Sequence, residues 1–437
     1  WYNSSAKQEG GWSLELIDPE NECGEEENWT ASDEPAGGTP GKENSVFAQN
    51  PDLTPPQLIQ AVALAKDSMV LRFNEKLDTT NIGEIDITIV PDINIEQLFF
   101  SETSKEILLK TSTDLSTQTP YTITINNLRD CSGNAIDEVN NTTLFGLIEP
   151  ADSVDIVINE LLFNPRSGGE DFVEIFNASE KYINLKDWKI ANAEIEQNEA
   201  LILNTERVIT EEDLVLGPQE YLVLTGDNIV LIEQYPLGRI DRFLELTSLP
   251  SYPNELGIVV LLDGLSEVID QFTYDESYHS SLLDNVDGVS LERVSADAIT
   301  NTSDNWKSAV ASVGFATPGY ENSQSRSDID RSPGKLTISP KIIIPEGSGT
   351  QDFTTISYEF NATGNVGTMR ILDVQGREIK TITQNEFLGT EGFFTWDGTD
   401  NEGKQVRIGY YLVVFEFFDA NGGTDMIKEK IAVGSRF

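Results

Sequence analysis

Short runs in which every second residue is apolar, each closed by turn residues, set the limits on what this chain can become. "SMVLRFNEKL", "TPYTITINNL", "DIVINELLF", "DFVEIFN", "EYLVLTG", "GIVVLLDG", "GTMRILDVQG" and "GYYLVVFEFF" recur along its 437 residues. A period of two puts Val, Ile, Tyr and Phe on one face of an extended strand, whereas a helix needs apolar residues three and four apart. Helical signals are few and weak, namely "TSKEILLKTS" (103–112) and "TEEDLVL" (210–216). The expected class is all-β. Clusters of proline and glycine at 50–57, 146–154 and 322–334 cut the chain into pieces, most of them long enough to bury a core.

One phrase occurs twice. Aligning Ser13-Leu14-Glu15 on Ser290-Leu291-Glu292 lays Asn28-Trp29 on Asn305-Trp306 at a constant offset. After a single inserted residue, Thr39-Pro40-Gly41 falls on Thr317-Pro318-Gly319, and Asn44-Ser45 on Asn322-Ser323. Such spacing marks a duplicated structural unit. Its first copy lies so near Trp1 that the chain is expected to begin inside a domain. A piece that short cannot bury a core alone, so it must pack on its neighbour or on something outside this sequence.

The balance of 29 basic against 74 acidic residues gives a formal charge of -45, which repels phosphate backbones and anionic headgroups. No nucleic acid partner is expected. No stretch approaches the ~20 apolar residues of a membrane helix, so direct membrane insertion is not expected either. Trp1 is neither an initiator nor part of a signal peptide, which places the expected true start ahead of it. Cys23 and Cys131 are too few for a disulfide scaffold and lack C-x-x-C spacing. They are either two separate buried thiols or one bridge, worth about 4 kcal/mol in an oxidising compartment.

The second copy of the phrase ends a stretch carrying "VINELLFNP" (157–165), "DFVEIFN" (171–177), "INLKDWKI" (183–190), "LGPQEYLVLT" (216–225) and "LPSYPNELGIVVLLDG" (249–264). In order and composition, residues 154–324 resemble a complete bacterial lamin-tail domain, which implies an immunoglobulin-like β-sandwich. Residues 1–48 then look like the C-terminal remnant of a first such domain. "VLRFNEKLD" (70–78) and "TPYTITINNLRDCSGNAI" (119–136) make residues 50–147 resemble an S-layer-type Ig-like domain. "MRILDVQGREI" (369–379), "WDGTDNEGKQV" (396–406) and Gly409-Tyr410-Tyr411 make residues 335–437 similar to the Ig-like domain of flagellar hook-capping proteins. The resemblances imply a string of Ig-like β-sandwich domains of Bacteroidota type. The last is an expected secretion or anchoring domain, although its long "WDG" hairpin departs from the commonest type IX sorting tail.

The residues that could carry chemistry are few. His279 in "YDESYHSSLLD" is the one histidine, with Asp275 and Glu276 beside it, yet adjacency in sequence does not make a triad. Glu160 and Glu174 lie on strands expected to pair, and alternation puts Glu174 on the face of Phe172 and Phe176. A carboxyl there must find donors or stay protonated, which makes the two expected buried structural carboxylates. Asp397, Asp400 and Glu402 form an oxygen-rich loop suited to calcium, though Gly398 stands where no EF-hand has its glycine, and Asx turns account for the same residues. No cofactor other than calcium is implied. Trp29 and Trp306 recur at one place, which favours a core role, and Trp188 and Tyr320 are further aromatic candidates. Tyr252 between prolines reads as a loop residue able to meet a ligand. Ser68, Thr79 and Ser153 stand in triplets resembling the O-glycosylation acceptors of Bacteroidota.

The resulting expectation is no enzyme, but an exported or cell-surface multidomain interaction or adhesion protein, outer-membrane associated or secreted, meeting other envelope or secretion-system proteins and travelling as type IX cargo. Two alternatives are a structural subunit of an outer-membrane or secretion assembly, and the targeting tail of a hydrolase or nuclease whose catalytic domain precedes residue 1. Oligomeric state is not legible.

Overall fold

The computed structural model describes residues 5–21, 23–196, 200–280, 283, 285–325, 336–346, 351–360, 365–388, 391–418 and 424–435. Trp1 and most of the expected 322–334 linker lie outside the described residues. The chain divides into two compact units, 1–149 and 150–437.

In the first unit, β1 (Leu14–Leu16) and β2 (Trp29–Ala31) pair as a two-stranded antiparallel ribbon. Then come β3 (Leu58–Ala65), β4 (Ser68–Phe73), β5 (Asp86–Val90), β6 (Ile95–Phe100), β7 (Glu106–Thr111), β8 (Tyr121–Asn126) and β9 (Thr142–Phe145). They form two sheets, in the orders β3-β4-β7-β6 and β5-β8-β9. Alternation sets their inner faces: β4 buries Met69, Leu71 and Phe73, β8 buries Tyr121, Ile123 and Ile125, and the two rows share one core. The helical signal at 103–112 is overturned here. Its residues become β7, paired on both edges, with Ile107 and Leu109 buried at a period of two. Burial across the sheet outweighs the helix preference of Glu, Leu and Lys. Cys23 and Cys131 are joined as a disulfide, tying the ribbon segment to the loop after β8.

The second unit begins with β10 (Ile156–Leu162), β11 (Phe172–Asn177), β12 (Ile183–Asn184), β13 (Lys189–Ile195), β14 (Leu201–Val208), β15 (Val215–Leu216) and β16 (Tyr221–Thr225). The segment 210–216 is again not helical; it ends in β15. A short helix, Asn228–Gln234, is capped by Asp227, whose carboxylate accepts from the amides of Ile229 and Val230. After it come β17 (Phe243–Glu245), β18 (Leu256–Leu262), β19 (Val268–Asp275), β20 (Leu291–Arg293) and β21 (Trp306–Ser308). A six-stranded sheet, β17-β16-β11-β10-β20-β21, and a four-stranded sheet, β14-β13-β18-β19, enclose a core that includes Ile158, Val173, Trp188, Tyr252, Phe272 and Trp306. Every residue of β10 and β11 is buried, because the outer face of the large sheet is covered as well, by Leu231 and Tyr235 from the helix and its end. Arg293 on one sheet and Asp270 on the other are 3.3 Å apart and pin the two layers together.

The rest of this unit is a second sandwich of β22 (Leu336–Ser339), β23 (Ile342–Ile343), β24 (Thr354–Glu359), β25 (Asn365–Asp373), β26 (Glu378–Leu388), β27 (Glu391–Trp396), β28 (Gly409–Phe418) and β29 (Thr424–Val433). Its sheets run β22-β24-β27 and β23-β29-β28-β25-β26, around Trp396, Met369, Phe415 and Ile431.

Candidate functional site

Three glutamates stand side by side across adjacent strands of the large sheet. Glu174 on β11 lies opposite Glu160 on β10, which lies opposite Glu292 on β20, and all three are fully buried. The loop after β21 folds over them. Thr317 donates its amide to Glu160 at 2.9 Å, and its hydroxyl oxygen lies 3.0 Å from Glu160 and 2.8 Å from Glu292, its one hydrogen serving one of the two. Gly319 donates its amide to Glu174 at 2.6 Å, while Ser323 Oγ and the Gln324 amide hold Glu292 at 2.7 and 2.8 Å. Ser290 Oγ adds a short bond to Glu160. Gly319 has φ +89°, and a Cβ there would meet Arg239 at 2.7 Å, so the turn that aims this amide excludes any side chain. Burial, then repulsion from Glu292, pushes the Glu160 carboxyl up to about 8. Burial, then Glu160, pushes Glu174 well up, and burial raises Glu292. The row is a carboxyl clasp that closes the sandwich. Glu160 and Glu174 are both in it; Glu292 escaped the sequence reading, although the repeated Ser-Leu-Glu marks its place.

His279 lies elsewhere, at a cavity of about 360 Å³ between the two sandwiches of the second unit. Asp275 caps the turn before it by accepting from the Ser277 amide at 2.8 Å. Ser308 Oγ accepts from the Ser280 amide at 2.9 Å and lies 3.0 Å from His279 Nδ1. A hydroxyl that also donates to Nδ1 satisfies both contacts and leaves the ring hydrogen on Nε2. Burial holds the imidazole down to about 4, so it is neutral at physiological pH. His279 Nε2 and Gln324 Oε1 are buried without a hydrogen-bond partner among the described residues, and both residues line the cavity. Tyr278, Phe353 and Lys307 supply the rest of its character, with the Lys307 ammonium 5.9 Å from the Phe353 ring.

The loop carrying the calcium candidates is held by turn hydrogen bonds and an ion pair. Asp397 Oδ1 accepts from the amide and hydroxyl of Thr399, Asp400 Oδ1 accepts from the amides of Glu402 and Lys404, and Glu402 pairs with Lys404 at 2.7 Å. These are Asx turns in a hairpin, and the three carboxylates do not converge. Among the described residues convergence occurs at Asp52, Glu75 and Asp130, whose carboxylate oxygens lie within 4.8 Å of one another. Burial, then Asp52 and Asp130, pushes Glu75 up to about 7.

Tyr252 is not a loop reader. It is 3 % exposed, inside the core, and its hydroxyl donates to Ala191 O at 3.4 Å. Trp188 is also core, and Trp306 is fully buried, stacked on Phe272 at 3.6 Å with Nε1 donating to Thr300 O at 2.7 Å. Trp29, expected to match it, is 39 % exposed. Tyr320 is half-buried beside the clasp. Thr79 and Ser153 are exposed, whereas Ser68 is half-buried at the start of β4.

Three families match in succession: the bacterial Ig-like domain over residues 52–145, the Lamin Tail Domain over 149–276 and the FlgD Ig-like domain over 346–416. The lamin-tail match stops before β20 and β21, which continue the same sheet. No curated protein matches the chain. Among solved structures, a DUF4876 family protein from Bacteroides thetaiotaomicron is 12% identical, with 57% of this chain and 91% of that one covered and a TM-score of 0.23. The S-layer protein rSbsC(31-844) is also 12% identical, with a TM-score of 0.21; 87% of this chain is covered, but only 55% of that longer one. CopC from Methylosinus trichosporium OB3b is 16% identical, covering 23% of this chain and 94% of its own, with a TM-score of 0.17. The chain is an all-β succession of Ig-like sandwiches, matched in order by the bacterial Ig-like, lamin-tail and FlgD Ig-like families.

Proposed function

We propose that this is a non-catalytic binding and adhesion protein that works outside the cytoplasm, and that the cavity beside His279 is where its second unit meets a partner. The observation that carries the reading is that two residues lining one cavity, His279 and Gln324, each keep a buried polar atom, Nε2 and Oε1, with no hydrogen-bond partner among the described residues. Buried polar atoms left open cost free energy unless something hydrogen-bonds to them. The glutamates do not compete for a catalytic role, because loop amides and hydroxyls already hold all three. Export is supported by the Cys23–Cys131 disulfide, since such bonds persist in oxidising compartments. Work at an envelope surface, as cargo of a secretion system, is the finer form of the same proposal.

The test compares the tagged native protein with a Ser303→Trp variant, whose exposed position at the cavity would block entry without touching the core. Both are purified from the producing cell's envelope and medium, and everything that accompanies them is identified by mass spectrometry. Partners present in stoichiometric amount with the native protein and lost with the variant are expected. Identical sets would remove the cavity from the reading, and a solitary protein in both preparations would remove the adhesion role.

A further inference from the structure

The two copies of the repeated phrase share their strand pairing and the hydrogen-bonded frame around it, and one of them is incomplete. In the first, β1 pairs with β2 through Leu14 and Ala31, Glu15 and Thr30, Leu16 and Trp29; in the second, β20 and β21 pair at the corresponding places. Asn28 accepts from the Asp18 amide at 3.0 Å and donates to its carbonyl at 2.7 Å, as Asn305 does with Ser295 at 2.9 and 3.1 Å. Asn44 donates to Leu16 O at 2.9 Å, as Asn322 does to Arg293 O at 2.9 Å. Thr39 Oγ1 and Ser45 Oγ hold Glu15, each at 2.7 Å, as Thr317 and Ser323 hold Glu292.

The differences that matter concern what is absent beside β1. In the second unit, β20 is flanked by β10, with Glu160 opposite Glu292 and Leu161 opposite Leu291. Among the described residues β1 pairs with β2 alone. The groups that hold Glu160 and Glu174 in the complete clasp are Ser290 Oγ, the Thr317 amide and the Gly319 amide. Their counterparts, Ser13 Oγ and the amides of Thr39 and Gly41, make no hydrogen bond among the described residues, although Gly41 keeps the same left-handed turn at φ +73°. Trp306 is roofed by Phe272, while Trp29 is left exposed.

We infer that residues 11–46 are the closing hairpin of a lamin-tail-type sandwich supplied from outside residues 1–149. That body would offer β1 an antiparallel strand with a glutamate opposite Glu15, a second strand whose glutamate reaches the Gly41 amide, and an apolar roof over Trp29. The occupant is fixed by complementarity: the second unit displays the whole arrangement, and the first displays its matching half. An open strand edge is a ready template for such pairing, and main-chain ladders supply its affinity. The arrival of a second carboxyl would also push Glu15 upward. At present burial raises it, but bonds from Ser45, Thr39 and Ser32 outweigh that and hold it down to about 2.

The experiment joins an extra copy of residues 150–287, which ends before its own closing hairpin, to the front of the full chain through a Gly/Ser linker. Hydrogen exchange at the Leu14–Leu16 amides is then followed. Exchange at least about tenfold slower than in the unfused chain is expected, and a fused copy carrying Glu160→Ala and Glu174→Ala should lose most of that protection. Unchanged exchange with a folded fusion would overturn the inference. Should the fused copy fail to fold, a second variant decides: residues 288–324 of the second unit are replaced by residues 11–46. Retained cooperative melting supports an interchangeable closing hairpin, and loss of the fold overturns it.

Discussion

At the scale of single residues, the same side chain in the same local motif has different surroundings. The repeat put Trp29 and Trp306 at one position, and the hydrogen-bonded frame around them agrees. Burial, however, is set by what lies across the core, and only Trp306 has Phe272 over it. Trp306→Ala is therefore expected to cost about 3–5 kcal/mol, while Trp29→Ala should cost less than about 1 kcal/mol. Urea unfolding of both variants checks this, and equal losses would mean that Trp29 is covered in solution. Tyr252 shows the reverse error. Its prolines carry a real loop signal, but local chemistry says nothing about which way a large ring turns, and the apolar gap at Ala191 and Tyr274 receives it. Glu75 was not legible at all, because its partners are 23 and 55 residues away in sequence, as Asp52 and Asp130. Its carboxyl, ordinarily near 4.5, is held up to about 7, so the folded state keeps the proton and loses stability as pH rises through that window. Glu75→Gln should raise the melting temperature of the first unit at pH 8 and change it little at pH 4.

At the scale of elements, alternation was enough to place most strands, because each has one face in a core and the period of two survives in the letters. It failed where partners on both edges force a strand on helix-favouring residues, as at β7. It also failed to expose the carboxyl row, which exists only once β11, β10 and β20 lie side by side. The row has a pH signature. Glu160 titrates near 4.5 when unfolded and is held up to about 8 when folded, so its contribution is complete below 4.5 and is lost as pH rises through 8. His279 acts in the opposite sense. Held down to about 4 against 6.5, it makes the unfolded chain the stronger proton acceptor between those values, so stability falls as pH drops through them. Between pH 6.5 and 8 the glutamates act without the histidine. Unfolding of the second unit should thus be easier at pH 8 than at 6.5, and Glu160→Gln should flatten that limb. An equally steep limb in the variant would assign it to the overall charge of -45 instead.

At the scale of the molecule, family resemblance identified the sandwiches, but contact within the chain draws the units differently from the proline and glycine clusters. The cluster at 50–57 does not end a compact body, because the ribbon before it and the sandwich after it form one unit. The link that explains this is a covalent one. Cys23 follows β1 and Cys131 follows β8, separated by 108 residues, and the ribbon is too small to bury a core of its own. The sequence left bridge and free thiols equally open, since no letter near either cysteine records how the chain returns on itself. Closing a loop of that length removes unfolded-state freedom worth about 4–5 kcal/mol. Replacing both cysteines by serine should therefore lower the melting of the first unit and leave the second, which contains no cysteine, where it was. Calorimetry resolves this as one transition that moves against one that stays. Movement of both would mean that the two units unfold as one, and movement of neither would mean that Cys23 and Cys131 are not bonded in the native protein.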